Sequence, residues 1–151
     1  MKKISKIIIH CSDSPDTVDI GVREIRLWHT MQPPAGRGWA DIGYHAVVRR
    51  SGVVEMGRYE DGDSILEGKE IGAHVSGENS DSLSICWVGK KKITYDQRRA
   101  LLGHVLYWMK LHNIPAERVF GHYEFDKKKT CPNINMDYFR KDLLAAINTD
   151  T

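Results

Sequence analysis

The chain predicts an α/β fold: a single domain with a central mixed β-sheet flanked by helices. Short apolar runs rich in β-branched residues read as strands, three longer segments carry apolar residues at helical spacing, and the two kinds interleave. With 151 residues, 41% of them hydrophobic and 28% charged, the whole of 1–151 fits one domain able to bury a core.

Ile4 to His10 forms the first predicted strand, and it carries His10 to its C-terminal edge. Val22 to Met31 follows as an amphipathic helix, with Val22, Ile25, Trp28 and His29 on one side and Arg23, Glu24 and Arg26 largely on another. His45 to Arg49 and Val53 to Gly57 make a hairpin whose turn, around Arg50, Ser51 and Gly52, contains glycine. Asp61 to Lys69 is the most loop-like stretch, and Leu83 to Val88 is the next strand. Thr94 and Gln97 form a capping-box pattern that opens a helix running to His112, where Asn113 and Pro115 stop it. A last helix spans about Asp137 to Ile147. His29, His104 and His112 fall within helices and are expected in helix-face or core roles.

The formal net charge of +2 is too small an imbalance to argue for nucleic acid as a partner. The apolar stretch near the N-terminus is too short for a signal peptide or a membrane helix, and no transmembrane segment is expected. Three cysteines, an odd number, agree with a cytoplasmic chain and not with a secreted disulfide framework.

Three residues point to chemistry. His10 ends a strand, and His122 with Cys131 bracket a short basic loop in the last quarter. Two imidazoles and one thiolate suit zinc, and three protein ligands leave a fourth tetrahedral position open for water, the arrangement of a catalytic site. Cys11 follows His10 directly, so in a strand it points to the opposite face and does not share that metal. Cys86 sits in an apolar run and reads as a core thiol.

The segments IIIHCSDSP, GVREIRLWHT, GWADIGYHAVVRRSGVVEMGR, IGAHVSG, NSDSLSICWVG and GHYEFDKKKTCP occur in the order and approximate spacing of one family. Over Ile7 to about Phe139 the chain resembles the zinc N-acetylmuramoyl-L-alanine amidases of bacteriophage amidase-type lysozymes and peptidoglycan recognition proteins. The resemblance implies a zinc-floored groove for peptidoglycan, one Zn2+ per chain held by His10, His122 and Cys131, and hydrolysis of the amide between N-acetylmuramic acid and L-alanine. Tyr44 matches a tyrosine beside the metal and Lys129 a lysine that stabilises the developing charge, while His45, His74 and Asn79 are expected to contact substrate. Glu124 is a further candidate base, and Asn133 stands where glycine is common.

A monomeric phage or prophage endolysin is the expected role, made in the host cytoplasm and acting on the wall after the membrane is breached. The alternatives are a cytosolic amidase that recycles muropeptides and a non-catalytic regulator that binds peptidoglycan or RNA polymerase. Cys131 argues against the non-catalytic wall binder, and nothing in the sequence identifies a polymerase-contacting surface.

Overall fold

Three consecutive isoleucines, Ile7 to Ile9, are fully buried, which demands a strand covered on both faces. That strand lies inside the sheet of the computed structural model, which describes residues 2–149. The described strands are β1 (Lys2–Lys3), β2 (Lys6–Cys11), β3 (Ala46–Val48), β4 (Val54–Met56), β5 (Ile65–Leu66), β6 (Ser82–Trp87) and β7 (Val119–Gly121), and the helices are α1 (Val22–Thr30), α2 (Tyr95–His112) and α3 (Met136–Thr149).

Five strands form the central sheet in the order β4-β3-β6-β2-β7. β2 pairs parallel to β6 and β7, β3 pairs parallel to β6, and only the β3–β4 hairpin is antiparallel. The expected mixed sheet is therefore present. Gly52 turns the hairpin at φ +92°, a conformation that favours glycine.

Alternation along β2 divides the molecule. Ile7, Ile9 and Cys11 join Leu83, Ile85 and Trp87 of β6 in the larger core, closed by Leu101, Val105 and Trp108 of α2 and by Phe139 and Leu143 of α3. On the other face a smaller core of Val47, Cys86 and Val88 packs under Val22 and Ile25 of α1.

α2 opens as the capping box requires: the Thr94 hydroxyl accepts from Gln97 N at 2.9 Å, and Gln97 Oε1 accepts from Thr94 N at 3.0 Å. It ends at Asn113, which takes the left-handed conformation.

Two expectations need correction. The stretch from Asp61 to Lys69 contains strand β5, which pairs antiparallel with β1. Trp28 is exposed rather than facing the sheet, because Val22, Ile25 and His29 already fill the buried stripe of α1.

Candidate metal centre and cleft

The parallel pairing of β2 with β7 places two imidazoles at the same end of the sheet. Ile9 is in register with Gly121, so the residues that follow, His10 still within β2 and His122 just past β7, stand side by side with ring centroids 4.7 Å apart. Gly121 allows this arrangement, since a Cβ there would come within 2.8 Å of Pro132 and 2.9 Å of Met136. Cys131 returns from the loop after β7 and is fixed at both ends. Tyr123 N donates to its carbonyl at 2.8 Å, Cys11 N donates to its sulfur at 3.0 Å, and the Trp87 indole donates to the next carbonyl, Pro132 O, at 2.8 Å. Asn133 has φ +57°, a left-handed backbone conformation that favours glycine and that asparagine also tolerates.

One nitrogen from each of His10 and His122 and the sulfur of Cys131 lie within 4.8 Å of one another. The donor set fits zinc, and a backbone amide aimed at the sulfur suits a thiolate. Burial lowers the pKa of His10 far below the usual imidazole value. Burial, reinforced by Lys129, lowers that of His122, so both rings are neutral and able to bind metal at pH 7. The neighbouring Cys11 thiol, then burial, push Cys131 up, so a metal would have to displace its proton.

Around this triad lies a cleft of about 480 Å³ lined by Tyr44, His29, Trp39, Arg37, Lys128 and Lys129 among others. Tyr44 stands with its ring 5.0 Å from that of His10, and burial raises its pKa well above the usual phenol value, which keeps the hydroxyl protonated as a donor. Gly43, just before it, passes so close to Ala73 that a Cβ would lie 2.0 Å from the Ala73 carbonyl oxygen.

From Tyr44 a row of rings runs outward: His29 at 5.4 Å, Trp39 at 4.8 Å from His29, and the Arg37 guanidinium 5.0 Å from the Trp39 ring. Gly43 N donates to His29 Nδ1 at 2.9 Å, which fixes the neutral ring with its proton on Nε2.

The structure distributes the expected substrate residues unevenly. His74 lines the cleft. His45 does not reach it: the ring is fully buried, with Nε2 2.7 Å from Glu70 O and Nδ1 accepting from Ser84 N at 3.1 Å, so contact with substrate is closed to it. Asn79 uses its side-chain oxygen to accept from His74 N and Val75 N, which makes it a brace for that loop. Glu124 is likewise engaged, accepting from Arg140 through both oxygens and from Gly121 N, which gives it a bracing role at the end of β7.

His29, Trp39 and Arg37 escape the sequence reading as cleft residues. The signal for His29 was its place on the same stripe as Val22 and Ile25, the stripe that meets the sheet. Asp61, Asp63 and Glu70 bring carboxylates together elsewhere, but Glu70 accepts from the amides of Asp61 and Glu67 and braces its own loop.

The family model described as N-acetylmuramoyl-L-alanine amidase matches residues 1–134. The chain belongs to that family. An endolysin of Enterobacteria phage K11 is 34% identical over 148 residues, covering 93% of this chain and 87% of that protein. An endolysin of Klebsiella phage KP32 is 46% identical over 88 residues, a match that spans 58% of this chain and 50% of its relative. Among solved structures, the N-acetylmuramoyl-L-alanine amidase LysC from Clostridium intestinale URNW shares the fold of this amidase-family chain with a TM-score of 0.75 at 23% identity, covering 97% of this chain and 86% of that one. The Ph2119 endolysin from a Thermus scotoductus bacteriophage superposes with a TM-score of 0.68 at 24% identity over 95% of this chain and 86% of its own. Among the described residues no helix is long and apolar enough to cross a membrane.

Proposed function

We propose that this protein is a zinc-dependent N-acetylmuramoyl-L-alanine amidase with the role of a phage endolysin. The observation that carries the reading is the convergence of His10, His122 and Cys131, the last two of which line a cleft that also holds Tyr44 and Lys129. Zinc, when bound by these three residues, would activate water near neutral pH and polarise the amide carbonyl.

The chain's own residues do the rest. Tyr44, held protonated by burial, donates a hydrogen bond to the oxygen that gains charge as the carbonyl is attacked. Lys129, which also lines the cleft and is near enough to His122 to lower its pKa, supplies a cation to stabilise that charge. Arg37 and Lys128 extend the positive lining outward, which suits the carboxylates of an acidic stem peptide. Trp39 offers an apolar face for sugar or peptide. Made in the host cytoplasm, such an enzyme meets its substrate once the membrane is breached.

Digestion of purified peptidoglycan tests the reading. New L-alanine amino termini without new reducing ends are expected. Reducing ends would mean a glycosidase, amino termini on other stem residues an endopeptidase, and binding without any new ends a recognition or regulatory protein. Cleavage of soluble muropeptides with intact wall left untouched would point to wall recycling.

A further inference from the structure

We propose that His74 and Ser82 are positioning residues for His10, and that together they fix it as a ligand through Nδ1. The proposal rests on the zinc reading above, and it gives His74 a task other than contact with substrate.

Three hydrogen bonds run in series from the sheet edge into the loop before β6. His10 Nε2 lies 2.9 Å from His74 Nδ1, with the two rings nearly perpendicular at 85°. His74 Nε2 lies 3.1 Å from Ser82 Oγ. Ser82 Oγ donates to the Glu78 carbonyl at 2.6 Å.

The direction of the series follows from its far end. A carbonyl oxygen only accepts, so the single hydroxyl proton of Ser82 is committed to Glu78. Ser82 Oγ must then accept from His74, which places the His74 proton on Nε2. A neutral imidazole has one donor and one acceptor nitrogen, so His74 Nδ1 is left as an acceptor, and His10 Nε2 must donate to it. The lone pair of His10 is thereby confined to Nδ1. A backbone carbonyl three groups away selects which nitrogen of the ligand is bare.

Burial makes the selection firm. Ser82 is fully buried and His10 is 1% exposed, so water cannot readily substitute for a missing partner. The series is itself anchored: Asn79 Oδ1 accepts from His74 N at 2.9 Å, and the Lys6 ammonium reaches Glu78 at 2.7 Å and Asp81 at 2.9 Å. Ligating histidines commonly donate their second N–H to a carboxylate or a carbonyl, and loss of that partner typically costs ~10- to 100-fold in metal affinity. Here the partner is a neutral imidazole, which orients the ring without adding negative charge to the site.

Zinc affinity, measured by competition with a chromophoric chelator, tests the proposal without recourse to activity. His74→Leu removes the acceptor and is expected to weaken zinc by ~10- to 100-fold. His74→Gln returns a side-chain oxygen to accept from His10 and should recover part of that loss. Ser82→Ala, which leaves both rings in place, should weaken zinc in the same direction by a smaller factor. Nitrogen-15 NMR of zinc-loaded wild-type protein should show His10 protonated at Nε2 and metal-bound at Nδ1, a reading that needs no variant to fold. Zinc bound through His10 Nε2, or wild-type affinity in His74→Leu with only KM raised, would overturn the inference alone. Failure of the wild type to take up zinc would overturn the zinc reading itself.

Discussion

The two faces of the central sheet are made of neighbouring residues yet are built to different ends. The face under α2 and α3 is a dry core of Ile7, Ile9, Leu83, Ile85, Trp87, Trp108 and Phe139. The face under α1 has a smaller apolar cluster and gives its open end to the polar rings of His74, His29 and Tyr44, with the buried His10 ring against them. Its histidines are held neutral by burial and tied into hydrogen bonds, so this face exchanges apolar packing for placement of donors and acceptors. Stability and chemistry should therefore separate by face when residues are altered, with Cys131, which packs against the larger core and is held by Cys11 N, on the seam between them.

The largest effect is expected at the triad. Cys131→Ser replaces a thiolate with a hard, neutral hydroxyl and should abolish stoichiometric zinc and with it amidase activity, whereas Cys11→Ser should retain the metal. Metal analysis after gel filtration decides it, and zinc retained in Cys131→Ser but lost in Cys11→Ser would reverse the ligand assignment.

On the opposite face, Phe139→Ala empties a fully buried site and should cost about 3 to 5 kcal/mol of stability by denaturant unfolding. Its kcat, measured well below the melting temperature, should stay near wild type. A kcat that fell with stability would show that the two faces are coupled.

Tyr44→Phe and Lys129→Met should each lower kcat on the order of 10²- to 10³-fold with zinc content and melting temperature nearly unchanged. Equal loss in kcat and kcat/KM marks a contact made in the transition state, and wild-type rates would remove either residue from the reaction.

The smallest effect is a dependence of stability on acidity specific to the histidine-rich face. Burial depresses His45 and His29 from the ordinary 6.5 to about 4. The unfolded chain then binds more protons than the folded one between those values, so their contribution is fully present above pH 6.5 and is lost as pH falls towards 4. Each such group accounts for about 3 kcal/mol at most. The melting temperature of metal-free protein should fall across that window, and a flat profile would contradict the burial of these rings.

Much of this division was legible beforehand. Four strands (β2, β3, β4 and β6), the capping box at Thr94 and the helix stop at Asn113 follow from local pattern and stand within a residue or two of expectation, whereas β1, β5 and β7, each only two or three residues long, carry too little pattern to be read. His10, His122 and Cys131 stood out because their chemistry is unusual and their spacing spans the chain. The fates of His45 and Asn79 were not readable, since a side chain's partner depends on which loop folds over it. Glu70 O and the amides of His74 and Val75 come from segments that carry no periodic signal. His29 and Arg37 were missed for a related reason: the cleft wall they share is set by the path of residues 31–39, which is tied back to the end of α1 by bonds from Arg37, Gly38 and Trp39 to Trp28, Met31 and His29.

The site joins the two extremes of the chain. Cys11 and Cys131 touch across a separation of 120 residues, and β2, which carries His10, lies between β6 and β7, both made long after it. During synthesis the first strand must wait for most of the polypeptide before its neighbours exist, and such non-local pairing is intrinsically slow. A ribosome-bound or prematurely ended chain that stops short of residue 131 lacks the third ligand whatever else it has folded. Metal binding by this triad thus requires that residue 131 has been made and has docked beside β2, so the centre is assembled late even though its first ligand is made early.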